Sequence, residues 1–263
     1  MSDNLSAKDI LEWYLCAGVD ETCGEIPFVL QSDAKKNIDA PVHNLRPAMT
    51  GLAQNTGGAC QNANDICTRV QSLEELKTEV EKFDGCALKL TATHTVFGDG
   101  NPNAKLVLIG EAPGADEDRI GLPFVGRSGQ LLDKMMAAIG LDRNAYYICN
   151  ILPWRPPGNR TPLDSEIAVC LPFLRKQIDL IDPDYIFIMG GSAANSLLGT
   201  ADTISKMRGH WFDYVKSNGK IAKVLTGFHP AYLLRTPGQK SKAWADLLRL
   251  SKELKRKNSA ENY

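Results

Sequence analysis

Four short apolar runs, each separated from the next by a helical pattern, constrain this chain more than any other feature. They are residues 105–110 (KLVLIG), 146–151 (YYICNI), 185–190 (YIFIMG) and 222–228 (AKVLTGF), each rich in β-branched or aromatic residues and closed by Gly, Pro or Asn. Runs of this length and composition are strands buried on both faces. Helical spacing occupies residues 128–139, 163–180, 192–198 and 242–254. Strand and helix alternate, which predicts an α/β fold: three α/β/α layers around a central four-stranded, mainly parallel sheet.

Length and composition narrow the class without naming a chemistry. A chain of 263 residues with 43% hydrophobic and 23% charged residues suits one folded α/β domain plus an appendage. The first residues, MSDNLSAKDILEWYLCAG, lack the charged start and long apolar stretch of a signal peptide. No run approaches the ~20 apolar residues of a membrane span. The expectation is a soluble, cytoplasmic monomer with no membrane partner. Seven cysteines, an odd number, suggest reduced thiols or metal ligands rather than a disulfide framework. The net charge of -1 conceals an asymmetry, because residues 1–79 hold six Lys and Arg against twelve Asp and Glu. The remainder therefore carries a positive excess, compatible with phosphate contacts.

Residues 1–71 read as an extension and linker. They contain a short amphipathic helix candidate at residues 9–16, and a stretch rich in Ala, Asn, Gln and Gly at 46–69 that is at most partly helical. Ser72 and Glu75 have capping-box spacing ahead of Leu73, Leu76 and Val80, so the main domain is placed at residues 72–257, with 258–263 as a tail.

Ligands of open parallel sheets bind at the carboxyl ends of the strands, and the unusual residues of this sequence lie there. The first strand runs into a segment that packs four Gly, two Pro, four acidic residues and Phe124 into Gly110 to Gly126. The second ends at Asn150 before LPWRPPGNRTP, and the fourth at His229 in HPAYLLR. Alone, each has a plain explanation: a Gly-rich connector, a turn-capping Asn, a structural His. The Gly-rich segment lacks the Walker lysine and the dinucleotide-binding glycine spacing. What raises these residues to site candidates is their joint placement on three strand ends.

The succession GEAPGADED, PFVGRSGQLLD, YICN, RPPGNRTP, RGHW (Arg208 to Trp211) and HPAYLLR resembles the family 4 uracil-DNA glycosylases over roughly residues 83–250. The resemblance implies a DNA-repair enzyme acting on uracil-containing DNA, single- or double-stranded. It implies that Phe124 stacks on the flipped base and that Asn150 reads uracil. It also implies that His229 stabilises the leaving base and that a carboxylate orients the attacking water. Glu117 is favoured for that carboxylate; Glu111 then contributes to the pocket, as do the backbones of Gly110 and Ala112. Asp116 and Asp118 are read as solvated or helix-capping. Tyr232 and Leu233 would fill the vacated base stack, with Arg235 and Arg155 as further DNA contacts. Alternatives of the same fold are an inactive DNA-binding protein or a glycosylase of broader base choice.

Many members of that family bind an iron-sulfur cluster through four cysteines. Here Cys86 and Cys170 stand at two of the ligand positions, but Phe83 and Trp154 occupy the other two. Cys60, Cys67 and Cys149 do not match the spacing. A four-iron cluster wants four thiolates, so no cofactor is expected, and Phe83 and Trp154 should plug that corner; the disfavoured alternative is a cluster on Cys86 and Cys170 with Cys60, Cys67 or Cys149 recruited.

Overall fold

The computed structural model describes residues 56–261, so the helix candidate at 9–16 and residues 46–55 of the linker lie outside them. The stretch that read as partly helical linker is a helix, α1, at Thr56–Arg69, and α2 follows at Leu73–Lys82. Ser72 caps α2 by accepting from the Glu75 N–H at 3.1 Å, while the Glu75 carboxylate accepts from the Gln71 N–H at 2.8 Å.

Among the described residues, a six-stranded sheet follows. Its members are β1 (Asp99–Gly100), β2 (Leu106–Gly110), β3 (Tyr147–Asn150), β4 (Tyr185–Met189), β5 (Trp211–Val215) and β6 (Ile221–Gly227). They lie in the order β1-β3-β2-β4-β6-β5. The four expected strands form the parallel centre, β3-β2-β4-β6. Two antiparallel edge strands extend it. Neither shows a buried apolar run. β1 is an Asp-Gly pair, and no residue of β5 (WFDYV) is fully buried, because an edge strand is only half covered.

Helices cover both faces. Between β2 and β3 lie α3 (Ala115–Ile120) and α4 (Arg127–Ala137); α5 (Asp164–Ile181) connects β3 to β4. Next come α6 (Gly191–Leu198) and α7 (Ile204–Met207), and after β6 come α8 (Pro230–Arg235) and α9 (Lys240–Glu261). Successive strand residues point to opposite faces, and the core divides accordingly. Val107, Ile109, Cys149, Ile186 and Ile188 pack with α1, α2 and α5, whereas Leu106, Leu108, Ile148, Phe187 and Met189 pack with α4 and α9. Among the described residues, no helix is long and apolar enough to cross a membrane.

From β2 the chain steps to β3 on one side and then crosses to β4 on the other. The carboxyl end of β2 is therefore the switch point where such sheets open a crevice. In register, Gly110 stands beside Asn150, and Met189 beside Gly227. Ala63 and Ile66 of α1 are buried in the same core as β2 and α5. Replacing Ile66 with Ala should therefore cost about 2 to 3 kcal/mol. Urea denaturation would register this as a lower midpoint at unchanged slope, whereas a surface linker would show no change.

Candidate active site

Glu117 organises the Gly-rich segment after β2. Its Oε2 accepts the Gly114 N–H at 3.1 Å, and its Oε1 accepts those of Val125 and Gly126 at 3.0 and 2.8 Å. One buried carboxylate thus ties the loop entering α3 to the loop entering α4. Between those ties sits Phe124, a non-glycine residue in the left-handed region with φ 54°, a conformation that persists only when its surroundings enforce it. Arg143 supplies further enforcement: its Nη2 donates to the Phe124 carbonyl at 2.5 Å and its Nη1 to that of Pro123 at 3.3 Å. Its Nε is paired with Asp133 at 2.8 Å. Gly129 completes the clamp, since a Cβ there would lie 1.8 Å from the Phe124 carbonyl oxygen.

Thus fixed, the Phe124 ring meets Asn150 over the bare backbone of Gly110. A Cβ on Gly110 would stand 2.4 Å from Asn150 Oδ1 and 2.5 Å from Phe124 Cζ, so no other residue leaves both side chains in place. The Asn150 Nδ2 is buried and has no hydrogen-bond partner. A native protein tolerates such an orphan donor where a ligand or water completes it.

Phe124 and Asn150 line a cavity of about 420 Å³ with Glu111, Ala112, Glu117, Ser128, Asn159, Arg160, His229 and Arg235. His229 is the N-cap of α8, and its Nδ1 accepts the Ala231 N–H at 3.1 Å. Burial, aided by the charge of Arg235, lowers its pKa to about 4. The imidazole is therefore neutral at pH 7, and with Nδ1 accepting, its proton sits on Nε2. Its ring centroid is 5.7 Å from that of Phe124. Burial raises the Glu111 carboxyl above the usual range, against a hydrogen bond from Ser192 at the start of α6.

Of the residues expected at the site, Gly110, Glu111, Ala112, Glu117, Phe124, Asn150, His229 and Arg235 come together. Leu233 does not: it is 0% exposed and packed in the core with α4 and α9, because it lies on the inner side of α8. Leu234, 37% exposed, is the leucine facing outward. Tyr232 is half-buried, its ring 5.0 Å from that of Phe228. The Arg155 Nε donates to Asn159 Oδ1 at 2.7 Å, bracing the loop after β3. Arg160 forms a two-pronged pair with Glu166 of α5 at 2.5 and 2.9 Å. Asp118 is neither solvated nor a cap. It is buried and accepts from the Thr93 N–H at 2.7 Å and the His94 N–H at 3.2 Å, anchoring α3 to the segment before β1. Asp116 is exposed, 3.4 Å from Arg119. Ser128, Arg143, Asn159 and Arg160 were missed; Ser128 lies within the PFVGRSGQLLD string and Asn159 and Arg160 within RPPGNRTP, whereas Arg143 left no sequence trace.

The cysteine corner lies behind the wall of the cavity. Phe83 stacks on Trp154 with centroids 6.4 Å apart at 15°, and meets Phe173 edge-on at 5.0 Å. Trp154 Nε1 donates to Thr95 Oγ1 at 3.0 Å. Cys86 and Cys170 are in hydrogen-bond contact, and that contact together with burial pushes the Cys170 thiol well up. Cys149 is buried on β3 with its thiol raised by burial alone. Two thiols and two apolar rings are not the donor set of a four-thiolate cluster. Among the described residues, no group of three or more His, Cys, Asp or Glu side chains is arranged to hold a metal ion.

Comparison with known proteins agrees with this geometry. Residues 97–248 match the model of the uracil DNA glycosylase superfamily. A type-4 uracil-DNA glycosylase of Thermotoga maritima is 43% identical over 169 residues, covering 64% of this chain and 86% of the relative. Another from Archaeoglobus fulgidus is 41% identical over 172 residues with the same coverage, and one from Sulfurisphaera tokodaii is 38% identical over 173 residues, 64% of this chain and 78% of the relative. With the switch-point cavity, the Gly110–Asn150 pair and His229 all inside the matched span, the chain belongs to the uracil-DNA glycosylase superfamily.

Proposed function

We propose that this protein binds uracil-containing DNA, takes a flipped uracil into the cavity at the end of β2 and hydrolyses its bond to deoxyribose, leaving an abasic site. The orphan Nδ2 of Asn150 carries this proposal. An Asn amide can donate to uracil O4 and accept from N3–H, whereas cytosine presents an amino group and a bare ring nitrogen at those positions. Cytosine would leave both partners unpaired, at about 1 to 3 kcal/mol each. Phe124 supplies the stacking surface, a contact worth about 1 to 3 kcal/mol per base. Asn150→Asp should therefore lose most uracil excision and narrow the gap between uracil and cytosine, measured as free base released from matched oligonucleotides. Unchanged excision would remove Asn150 from the pocket.

The chemistry divides between two ends of the breaking bond. As the C1′–N1 bond lengthens, its electron pair passes to the base and negative charge gathers on O2, where the Nε2–H of neutral His229 donates. A water attacks C1′ from the opposite side and yields its proton to a carboxylate. Glu117 already has three backbone amides on its two oxygens. Glu111 accepts no such set, faces the cavity and has a raised pKa, as suits a base. Glu111 is therefore assigned to the water, and Glu117 to holding Phe124. Because the base must be ionised, the single-turnover rate should fall as pH drops through the raised pKa of Glu111. His229, with its pKa near 4, stays neutral throughout that range. Glu111→Gln should be slow and lose this acid limb; an E111Q profile parallel to wild type would return the role to Glu117.

The enzyme folds and works without metal on this account, because Phe83 and Trp154, which the family resemblance sets at two of the four cysteine positions, stack on one another as an apolar plug. Purified protein should be colourless, hold less than stoichiometric iron and keep excision after chelation. Replacing Cys86 and Cys170 together with Ser should cost only packing energy, about 1 to 3 kcal/mol. A brown protein with about four irons per chain would overturn this.

A further inference from the structure

The Arg208–Trp211 motif stands out in the sequence yet lies outside the cavity lining. Arg208 and Gly209 form the turn between α7 and β5, and α9 grips that turn from below. Arg208 Nε and Nη2 donate to the two carboxylate oxygens of Asp246 at 2.9 and 2.6 Å, and Nη2 also to the Lys242 carbonyl at 2.6 Å. Asp246 is 0% exposed. Arg249 Nη1 donates to the Gly209 carbonyl at 2.5 Å, and the Gly209 N–H to the Thr226 carbonyl at 2.9 Å. Gly209 has φ 73°, and a Cβ there would stand 2.4 Å from Arg249 Nη1 and 2.6 Å from Asp246 Oδ1. Both its backbone conformation and the approach of α9 therefore require glycine.

The held guanidinium faces the next part of the site. Its carbon lies 5.4 Å from the centroid of the Phe228 ring. Phe228 immediately precedes His229, and its ring packs on Tyr232 at 5.0 Å. A line of contacts thus runs from Asp246 through Arg208 and Phe228 to both ends of the segment that carries His229 and Tyr232. A flat guanidinium can fork onto a carboxylate and present its face to a ring at the same time, which a lysine cannot.

We propose that Arg208, oriented by Asp246, is a positioning residue for excision: it is the platform under Phe228 that sets His229 against the base and Tyr232 against the DNA. The proposal rests on the glycosylase reading above. The competing role is purely structural, a buried ion pair that fastens α9 to the sheet. The two separate because a buried pair can often be exchanged for apolar residues without loss of stability, whereas removing one partner strands a charge.

The test uses the full chain, as wild type, R208A, R208K and R208L/D246L. It records melting temperature, single-turnover release of uracil from a duplex, and affinity for a duplex carrying a 2′-fluorodeoxyuridine, which resists hydrolysis. R208A should lose both stability and rate. R208L/D246L should regain the melting temperature while its rate stays down by at least about tenfold, with affinity changed less than about threefold. R208K, which keeps a charge opposite Asp246, should fold and show the same split; it decides the matter if the double variant is unstable. Recovery of the rate along with stability in R208L/D246L, or a wild-type rate in R208K, would overturn the proposal. Absence of uracil release by wild type would instead refute the glycosylase reading itself.

Discussion

The site depends on a single carboxylate accepting backbone amides from two loops. Glu117 sits near the start of a six-residue helix too short to hold itself by propensity, yet it joins Gly114 to Val125 and Gly126. Hydrogen bonds to a charged acceptor are about twice as strong as neutral ones, and three of them converge here where the dielectric is low. The benefit is conformational. Phe124 is held in a left-handed backbone state, with its ring and the Asn150 amide both set against the bare backbone of Gly110.

The rest of the structure supports that geometry from outside. Parallel pairing sets Gly110 beside Asn150 without any side-chain contribution. Arg143, reaching from the turn before β3, fixes the carbonyls of Pro123 and Phe124. The wall after β3 is braced by Arg155 on Asn159 and by Arg160 on Glu166. Phe83, Trp154 and Phe173 pack as aromatic rings beside Cys86 and Cys170 in the same core. An apolar plug of this kind holds its loop through buried area and shape.

The central strands were legible because burial on both faces forces an uninterrupted apolar run. The edge strands were not, since one is an Asp-Gly pair and the other has no fully buried residue. The helix at Thr56–Arg69 was half hidden by its Asn, Gln and Gly content; only Ala63 and Ile66 reach 0% and 6% exposure, and tertiary packing rather than propensity holds it. Site residues at strand ends were found because a strand end is visible in sequence. Roles that depend on which way a side chain turns were not. Leu233 and Leu234 are adjacent and chemically identical, and only the rotation of α8 decides that the first is core and the second is exposed. The ties of Glu117 were hidden likewise: the three amides it accepts belong to Gly114, Val125 and Gly126, residues with no side-chain signal for the contact.

The central claim is that this cavity recognises the hydrogen-bonding edge of uracil and cleaves its glycosidic bond. Its most direct measurement is the free base released, under single-turnover conditions, by the wild-type chain from oligonucleotides identical except for uracil or cytosine at one position. The account predicts quantitative release of uracil, an abasic product that alkali then cleaves, and no detectable cytosine. Intact strands from both substrates, or equal release of the two bases, would contradict it.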